Sequence, residues 1–380
     1  MKSVRVRRES LPDHPFIFRK RLGRIDPGTR NGDPVRILTS DGTPAGVGLF
    51  HGKSQIAVRV LCRDPEETID RQFIRRRIDD ALRLRRDVLR LDERSNAWRV
   101  INSEGDGLSG LIVDRYADLL SVQIKCLAIF RFASDIAERL SEHFPGARVV
   151  YRRDEQAERI EGFRVPEAGD ARTVIESDGL RMGVDLAAGH KTGAFLDQRD
   201  NRLLAAGVAR GRRVLDLFCY EGAFALACAR AGATSVSGAD LDEKAIARAR
   251  ANAERNRLDV AFEHADAFEV LRAAPETDFL LLDPPKWIPS RGDERAGRQR
   301  YLDLNALGIG ALRDGGLLLT SSCSGLLSDR DFLGILRVAA ARAGRDLRIL
   351  SVCGPAPDHP VPANFPEGHY LTTVLASVSR

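Results

Sequence analysis

Six cysteines stand at 62, 126, 219, 228, 323 and 353, and no two of them form a Cys-x-x-Cys. That spacing argues against both a disulfide framework and a zinc site, so no metal is expected. Any thiol with a chemical role must act alone. No run of 18 apolar residues occurs, so no membrane-spanning helix and no membrane partner are expected. The opening Met1-Lys2-Ser3-Val4-Arg5-Val6-Arg7-Arg8 lacks the apolar core of a signal peptide, which predicts a cytoplasmic protein. Internal repeats and low-complexity tracts are absent. What is present is 380 residues, 43% of them hydrophobic. That length suits two to three domains at ~150 residues each, with enough apolar matter for several cores.

Charge is unevenly spread. Residues 1–100 hold 23 Lys+Arg against 14 Asp+Glu, a net +9, whereas the other 280 residues carry 36 against 40, a net −4. A basic N-terminal part joined to a mildly acidic remainder points to a polyanion held by one part. For the runs Arg75-Arg76-Arg77 and Arg83-x-Arg85-Arg86, a solvated helix face is the competing explanation.

Residues 1–68 read as short strands, among them Val35–Leu38 and Ile56–Leu61, punctuated by turns such as Asp41-Gly42-Thr43-Pro44. This predicts a small β-barrel domain. Residues 69–186 read as a small α+β domain, with a helix over ~69–90, a second near 130–143, and strands near 98–102, 110–114, 119–125, 147–152 and 172–185. Residues 187–380 alternate buried strands with helices. Strands are predicted at 213–218, 235–240, 260–263, 278–282, 316–321, 347–352 and 370–378, and helices at 222–231, 242–256, 266–272, 299–313 and 328–343. That alternation is the mark of an α/β domain with a largely parallel sheet covered on both faces. Ligands bind such sheets at the carboxyl ends of the strands.

The strand ends carry acids. After the first strand comes Asp216-Leu217-Phe218-Cys219-Tyr220-Glu221-Gly222-Ala223-Phe224. Its glycine suits a close approach of backbone to ligand, but it is not the three-glycine dinucleotide fingerprint, and no Gly-Lys-Ser/Thr phosphate loop occurs. NAD and ATP are therefore disfavoured. Asp240 ends the second strand 24 residues after Asp216, a spacing suited to a carboxylate on a ribose diol. Asp266 follows the third strand and could orient an adenine. Asp242 and Asp266 could equally be helix caps.

This pattern resembles the class I S-adenosylmethionine-dependent methyltransferases, whose domain is Rossmann-like. Asp216, Phe218 and Gly222 look like their first motif, Asp240 like the second and Asp266 like the third. Asp283-Pro284-Pro285-Lys286-Trp287 looks like the fourth. Amine-methylating members commonly place an aromatic directly after the Pro-Pro, and here Lys286 intervenes.

The fifth strand runs into Ser321-Ser322-Cys323-Ser324. A thiol at a strand's carboxyl end, on the rim that carries Asp283, stands where a nucleophile would. Cytosine carbon 5 is a poor nucleophile toward a sulfonium methyl. A thiolate added to carbon 6 makes carbon 5 enamine-like, and a carboxyl group such as Asp283 could polarise the ring. A small buried core residue is the ordinary alternative for Cys323. Cys228 and Cys353 read as core, and Cys219 as a small filler of the cofactor loop.

The chain as a whole resembles the bacterial 23S rRNA 5-methylcytosine methyltransferases that begin with a PUA domain. His14-Pro15-Phe16-Ile17-Phe18, Gly46-Val47-Gly48-Leu49-Phe50 and Ser54–Arg59 are similar to that RNA-binding domain, and Asn102–Tyr116 to the central one. Gly189-His190-Lys191-Thr192-Gly193-Ala194-Phe195-Leu196-Asp197-Gln198-Arg199-Asp200-Asn201-Arg202 is the most specific stretch. In the family it helps close the cofactor site, which implies a place there for Lys191 and Gln198. The resemblance implies S-adenosylmethionine as cofactor and 23S rRNA, free or in an assembling large subunit, as substrate. A homodimer stays open, as does the base that removes the carbon-5 proton. Two alternatives remain at this point: a related RNA guanine methyltransferase, which needs no thiol, and a non-catalytic RNA-binding assembly factor.

Overall fold

The computed structural model describes residues 1–167, 169, 171–186, 194–273 and 277–380. Six short strands, β1 (Lys2–Val6), β2 (Phe16–Phe18), β3 (Leu22–Ile25), β4 (Pro34–Leu38), β5 (Pro44–Phe50) and β6 (Ile56–Cys62), form one sheet in the order β2-β6-β5-β4-β1-β3. Strict alternation along β1 and β4 puts Val4, Val6, Val35 and Ile37 into a shared core. The other side of β5 serves a second core, in which Val47 and Leu49 pack with Phe73, Ile74 and Ile78 of α1 (Arg71–Arg83). Asp70 caps that helix by accepting the Phe73 N–H at 2.9 Å.

The apolar spacing predicts one helix to residue 90. The α-helix instead ends at Arg83 and continues as a π turn over Leu84–Val88. That turn leaves Val88 exposed and sends Arg85 inward, fully buried. The Arg85 guanidinium donates to both oxygens of Asp106 at 2.5 and 2.8 Å, and to the Asp358 carbonyl at 2.7 Å. The neighbouring arginines are paired too: Arg71 with Glu138 (2.6 Å), Arg75 with Glu142 (2.7 Å), Arg76 with Glu67 (3.0 Å) and Arg86 with Asp92 (2.9 Å). Arg71 and Arg75 therefore tie α1 to the helix that carries Glu138 and Glu142, and Arg76 and Arg86 hold the segments just before and after α1. Arg7, Arg8, Lys20, Arg24, Arg30 and Lys53 are among the cations of the N-terminal part that are exposed and in no ion pair among the described residues.

A four-stranded sheet follows, β7 (Ala97–Asn102), β8 (Leu111–Tyr116), β9 (Leu119–Ile124) and β10 (Arg148–Arg152), ordered β10-β9-β8-β7. Helices α2 (Leu127–Phe130), α3 (Ala133–His143) and α4 (Glu155–Glu161) accompany it. The strand predicted at 172–185 is a hairpin, β11 (Arg172–Ser177) and β12 (Leu180–Asp185). Its turn residues Asp178 and Gly179 both have left-handed φ, +51° and +78°.

Of the described residues, those in Met1–Gly179, Val184–Gly193 and Pro357–Gly368 form one compact unit; those in Leu180–Gly183, Ala194–Ala356 and His369–Arg380 form a second. The second unit is built on seven strands: β13 (Arg213–Leu217), β14 (Ser235–Asp240), β15 (Ala261–His264), β16 (Thr277–Leu282), β17 (Leu312–Ser322), β18 (Asp346–Cys353) and β19 (Thr372–Ser379). Their order is β15-β14-β13-β16-β17-β19-β18. The first five run parallel, and β19 lies antiparallel to both of its neighbours. All six residues of β16 are buried, as a strand covered on both faces requires. Helices α5 (Arg199–Ala209), α6 (Ala223–Arg230), α7 (Glu243–Asn256), α8 (Ala267–Ala273), α9 (Glu294–Ala311) and α10 (Asp329–Ala343) supply that cover, with cores on either side of the sheet. This is the Rossmann-like α/β architecture expected of residues 187–380.

Two details differ. Helix α9 starts at Glu294, before the predicted 299. The cause is Gly297, which looks like a helix breaker but serves packing: a Cβ there would lie 2.6 Å from the Trp287 carbonyl oxygen. Cys353, expected in the core, is half-buried on the edge strand β18, beside Ser351 Oγ at 3.0 Å.

Candidate active site

The chain leaves β13, crosses to β14 and β15, then returns to β16 on the other flank of β13. The carboxyl ends of β13 and β16 are thus the switch point of the sheet, with Leu217 level with Leu282. Asp216 sits one residue before that edge and Asp283 one residue after it; the Asp283 N–H meets the Leu217 carbonyl at 3.4 Å.

Beyond β13 the backbone alternates handedness. Phe218, Tyr220 and Gly222 all have positive φ (+63°, +50° and +80°), a conformation costly for the two aromatics and typical of loops shaped around a ligand. Backbone bonds hold the loop: Cys219 N–H to the Ala239 carbonyl (3.1 Å) and Gly222 N–H to the Cys219 carbonyl (2.8 Å). The Tyr220 N–H and the Asp242 N–H each donate to one oxygen of Asp240, both at 2.9 Å. Asp240 is thereby oriented with one lone pair on each oxygen still available.

Asp216 is 1% exposed and accepts the Ala225 N–H at 3.0 Å. Burial pushes its carboxyl well above the usual carboxylate range, and the charges of Asp283 and Asp240 push it further. Three acids crowded at one strand edge favour a cationic ligand, which would relieve that repulsion. S-adenosylmethionine, with its ammonium and sulfonium, fits the donor set. Burial also pushes the Cys219 and Cys228 thiols up, so neither is a ready thiolate. Asp266 does what the sequence left open: its Oδ1 caps α8, accepting the N–H of Phe268 at 2.9 Å and of Glu269 at 3.2 Å.

Asp283 is held from the side. The Gln198 amide donates to Asp283 Oδ1 at 3.0 Å, and its own oxygen accepts from Asn201 Nδ2 at 2.7 Å. Asn201 also donates to Thr373 Oγ1 (3.1 Å), which meets Ser321 Oγ at 2.9 Å. Gln198, expected at the cofactor, thus lies against the residue expected to polarise the base. Lys191 lies outside the described residues.

Cys323 follows the end of β17, half-buried, with Sγ 4.0 Å from the Pro284 carbonyl oxygen. The loops after β16 and β17 are tied together: the Ile288 N–H donates to Ser324 Oγ at 3.3 Å, which meets the Tyr301 hydroxyl at 3.1 Å. Burial raises the pKa of that hydroxyl, so it stays a neutral partner. Trp287 packs against Tyr301 (4.9 Å between ring centres) and edge-on to Phe218 (5.9 Å), joining the thiol loop to the cofactor loop. So Asp216, Phe218, Gly222, Asp240, Gln198, Asp283 and Cys323 all belong to one carboxyl edge. The sequence did not single out Asn201, Thr373, Ser321 or Tyr301. Asn201 and Ser321 sit within quoted motifs without a role of their own, whereas Tyr301 lies inside α9 and Thr373 on the returning strand β19.

Comparison with known proteins gives a consistent result. Residues 134–305 match the S-adenosylmethionine-dependent methyltransferase family, and residues 11–63 match a PUA-like domain. The chain is 39% identical to "Ribosomal RNA large subunit methyltransferase I" of Aeromonas hydrophila over 384 residues, covering 97% of this chain and 96% of the relative. Its identity to the protein of the same name from Shewanella denitrificans is 36%, covering 96% and 95%. Among solved structures, a protein assigned as a methyltransferase and complexed with SAH superposes with a TM-score of 0.79 at 19% identity, over 96% of this chain and 95% of that one. A SAM-dependent methyltransferase structure from Streptococcus mutans gives a TM-score of 0.77 at 20% identity, over 93% of each chain.

Proposed function

We infer the reaction from one premise: the chain belongs to the ribosomal RNA large subunit methyltransferase I family. It is an S-adenosylmethionine-dependent methyltransferase of rRNA; we propose that it acts in the cytoplasm and that its product is 5-methylcytosine in 23S rRNA, either free or in an assembling subunit. The observation that supports cytosine is Cys323, a half-buried thiol at the carboxyl end of β17 beside the Asp283-Pro284 rim. An amine-methylating enzyme has no use for a thiol there.

When bound, S-adenosylmethionine supplies an electrophilic methyl group on a sulfonium. Asp240 offers two carboxylate oxygens to a ribose diol, and the loop Phe218–Gly222 shapes the backbone around the nucleoside. Asp216, whose carboxyl is raised above the usual range by burial and by its acidic neighbours, would be drawn toward its charged form by the cationic end of the ligand. Cys323, as thiolate, adds to cytosine carbon 6, and the electron pair moves toward carbon 5, which then attacks the methyl group. Asp283, fixed by Gln198, hydrogen-bonds the ring edge and stabilises the charge that builds there. Loss of the carbon-5 proton to a base then re-forms the double bond, breaks the sulfur–carbon bond and releases Cys323.

Incubation with isotope-labelled S-adenosylmethionine and unmodified rRNA, followed by nucleoside analysis, tests the assignment. The label is expected in 5-methylcytidine. Label in a methylguanosine would transfer the protein to the guanine-modifying alternative, and no label in rRNA would leave an RNA-binding factor.

A further inference from the structure

Helices α9 and α10 both begin at the carboxyl edge of the sheet, since each follows a strand of the active-site rim, β16 and β17. Between them runs an open groove of about 800 Å³. Its lining includes five arginines, Arg291, Arg295, Arg298, Arg330 and Arg337, against two carboxylates, Glu294 and Asp331. Both carboxylates are engaged by one arginine: Arg298 meets Glu294 at 2.9 Å and Asp331 at 3.4 Å. Arg291, Arg295, Arg330 and Arg337 are exposed and have no carboxylate partner among the described residues. A fold that pairs its α1 arginines almost one by one leaves these four cations unneutralised side by side. Self-repulsion of that kind persists where an anionic partner compensates it.

Position adds to charge. Arg295 and Arg330 are each the second residue of their helix, hence next to the rim, while Arg337 lies two turns further along α10. The cations form a track leading away from the edge that carries Asp283 and Cys323. Arg300, nearly two turns into α9, lies over Trp287 at 4.7 Å and continues the positive surface toward the loop after β13.

We propose that the α9–α10 groove is a phosphodiester track that holds the RNA strand flanking the target nucleotide. This rests on the rRNA reading above and deepens it, because phosphate contacts then come from the catalytic unit itself as well as from the PUA-like part. Guanidinium groups suit the task, since each can take a phosphate through two parallel N–H donors.

The test measures binding of an unmodified 23S rRNA fragment by the full-length protein as a function of salt. Arg295→Gln, Arg330→Gln and Arg337→Gln are combined in one variant. A control variant combines Arg230→Gln, Arg272→Gln and Arg348→Gln, which removes the same charge from exposed sites outside the groove. The groove variant is expected to lose about tenfold or more in affinity at low salt, and the slope of log affinity against log salt to shrink by about two to three. The control should change both far less, and S-adenosylmethionine affinity should be unchanged in both variants, which verifies the fold. Equal RNA affinity and slope for the groove variant and a methylating wild type would overturn the groove alone. Equal losses in both variants would mean net charge acts without a track. A wild type that neither binds nor methylates the fragment would overturn the rRNA reading and the groove with it.

Discussion

Both oxygens of Asp240 already accept a backbone N–H at 2.9 Å, so the carboxylate is aimed before any ligand arrives. Asp240→Ala would leave two ribose donors without partners in a partly dried site. The expected loss is about 1–3 kcal/mol, or roughly ten- to a hundredfold in S-adenosylmethionine affinity by calorimetry; unchanged affinity would remove Asp240 from the site. Glu221 offers a pH test in the same loop. Burial pushes its carboxyl up to about 7, against an ordinary 4.5, although Arg248 Nε at 2.7 Å opposes the shift. Below pH 4.5 the group is protonated in folded and unfolded chains alike and costs nothing. Between 4.5 and 7 the unfolded chain releases the proton first, so this residue's contribution to stability falls as pH rises, and it stays low above 7. Glu221→Gln should therefore gain in melting temperature relative to wild type across that window. Parallel pH curves for the two proteins would contradict this.

The loop Phe218–Gly222, proposed to hold the cofactor, depends as an element on Gly222. Its φ of +80° is left-handed, and a Cβ there would lie 2.5 Å from Phe262 Cζ. Gly222→Ala is expected to cost about 1–2 kcal/mol from the backbone alone, and to weaken cofactor binding further by displacing the loop. Thermal melts with and without S-adenosylmethionine would show both losses; a variant with wild-type melting and cofactor shift would mean the loop is not shaped by this glycine. Elements of this kind were legible beforehand because β13–β17 are short apolar runs ending in acids, and because Gly222 follows Asp216 at a fixed offset. Local pattern failed where tertiary packing decided. Gly297 reads as a breaker but lies inside α9, and Val88 and Leu89 continue an apolar period that the π turn cuts off. Asp178-Gly179, a strong turn signal, was overlooked within a β-rich stretch. The network of Gln198, Asn201, Ser321 and Thr373 joins three segments far apart in the chain, so no spacing could show it. The partners of Arg71 and Arg75 lie on α3, 67 residues further along the chain, beyond what local pattern shows.

Across the whole molecule, two roles fall to two kinds of surface. Arg7, Arg8, Lys20, Arg24 and Lys53 of the N-terminal part are in no ion pair among the described residues, whereas Val47, Leu49 and Leu61 share a core with α1. Deleting residues 1–68 would open that core, so neutral substitutions are the cleaner probe. Lys20→Gln, Arg24→Gln and Lys53→Gln together should lower RNA affinity and its salt slope while leaving cofactor affinity intact; an unchanged salt slope would mean these charges are only solvated. Chemistry rests on the other unit. There the proposed mechanism has Cys323 form a transient bond to cytosine carbon 6, and a substrate RNA carrying 5-fluorocytosine at the target tests that directly. Fluorine cannot leave as a proton does, so elimination stalls and the adduct persists. Mass spectrometry of the digested protein should find the RNA fragment on the peptide that contains Cys323. Cys323→Ala should form no adduct and transfer no methyl group, yet bind S-adenosylmethionine nearly as wild type does. Robust methylation by Cys323→Ala, or no adduct with wild type under turnover conditions, would contradict the cytosine mechanism.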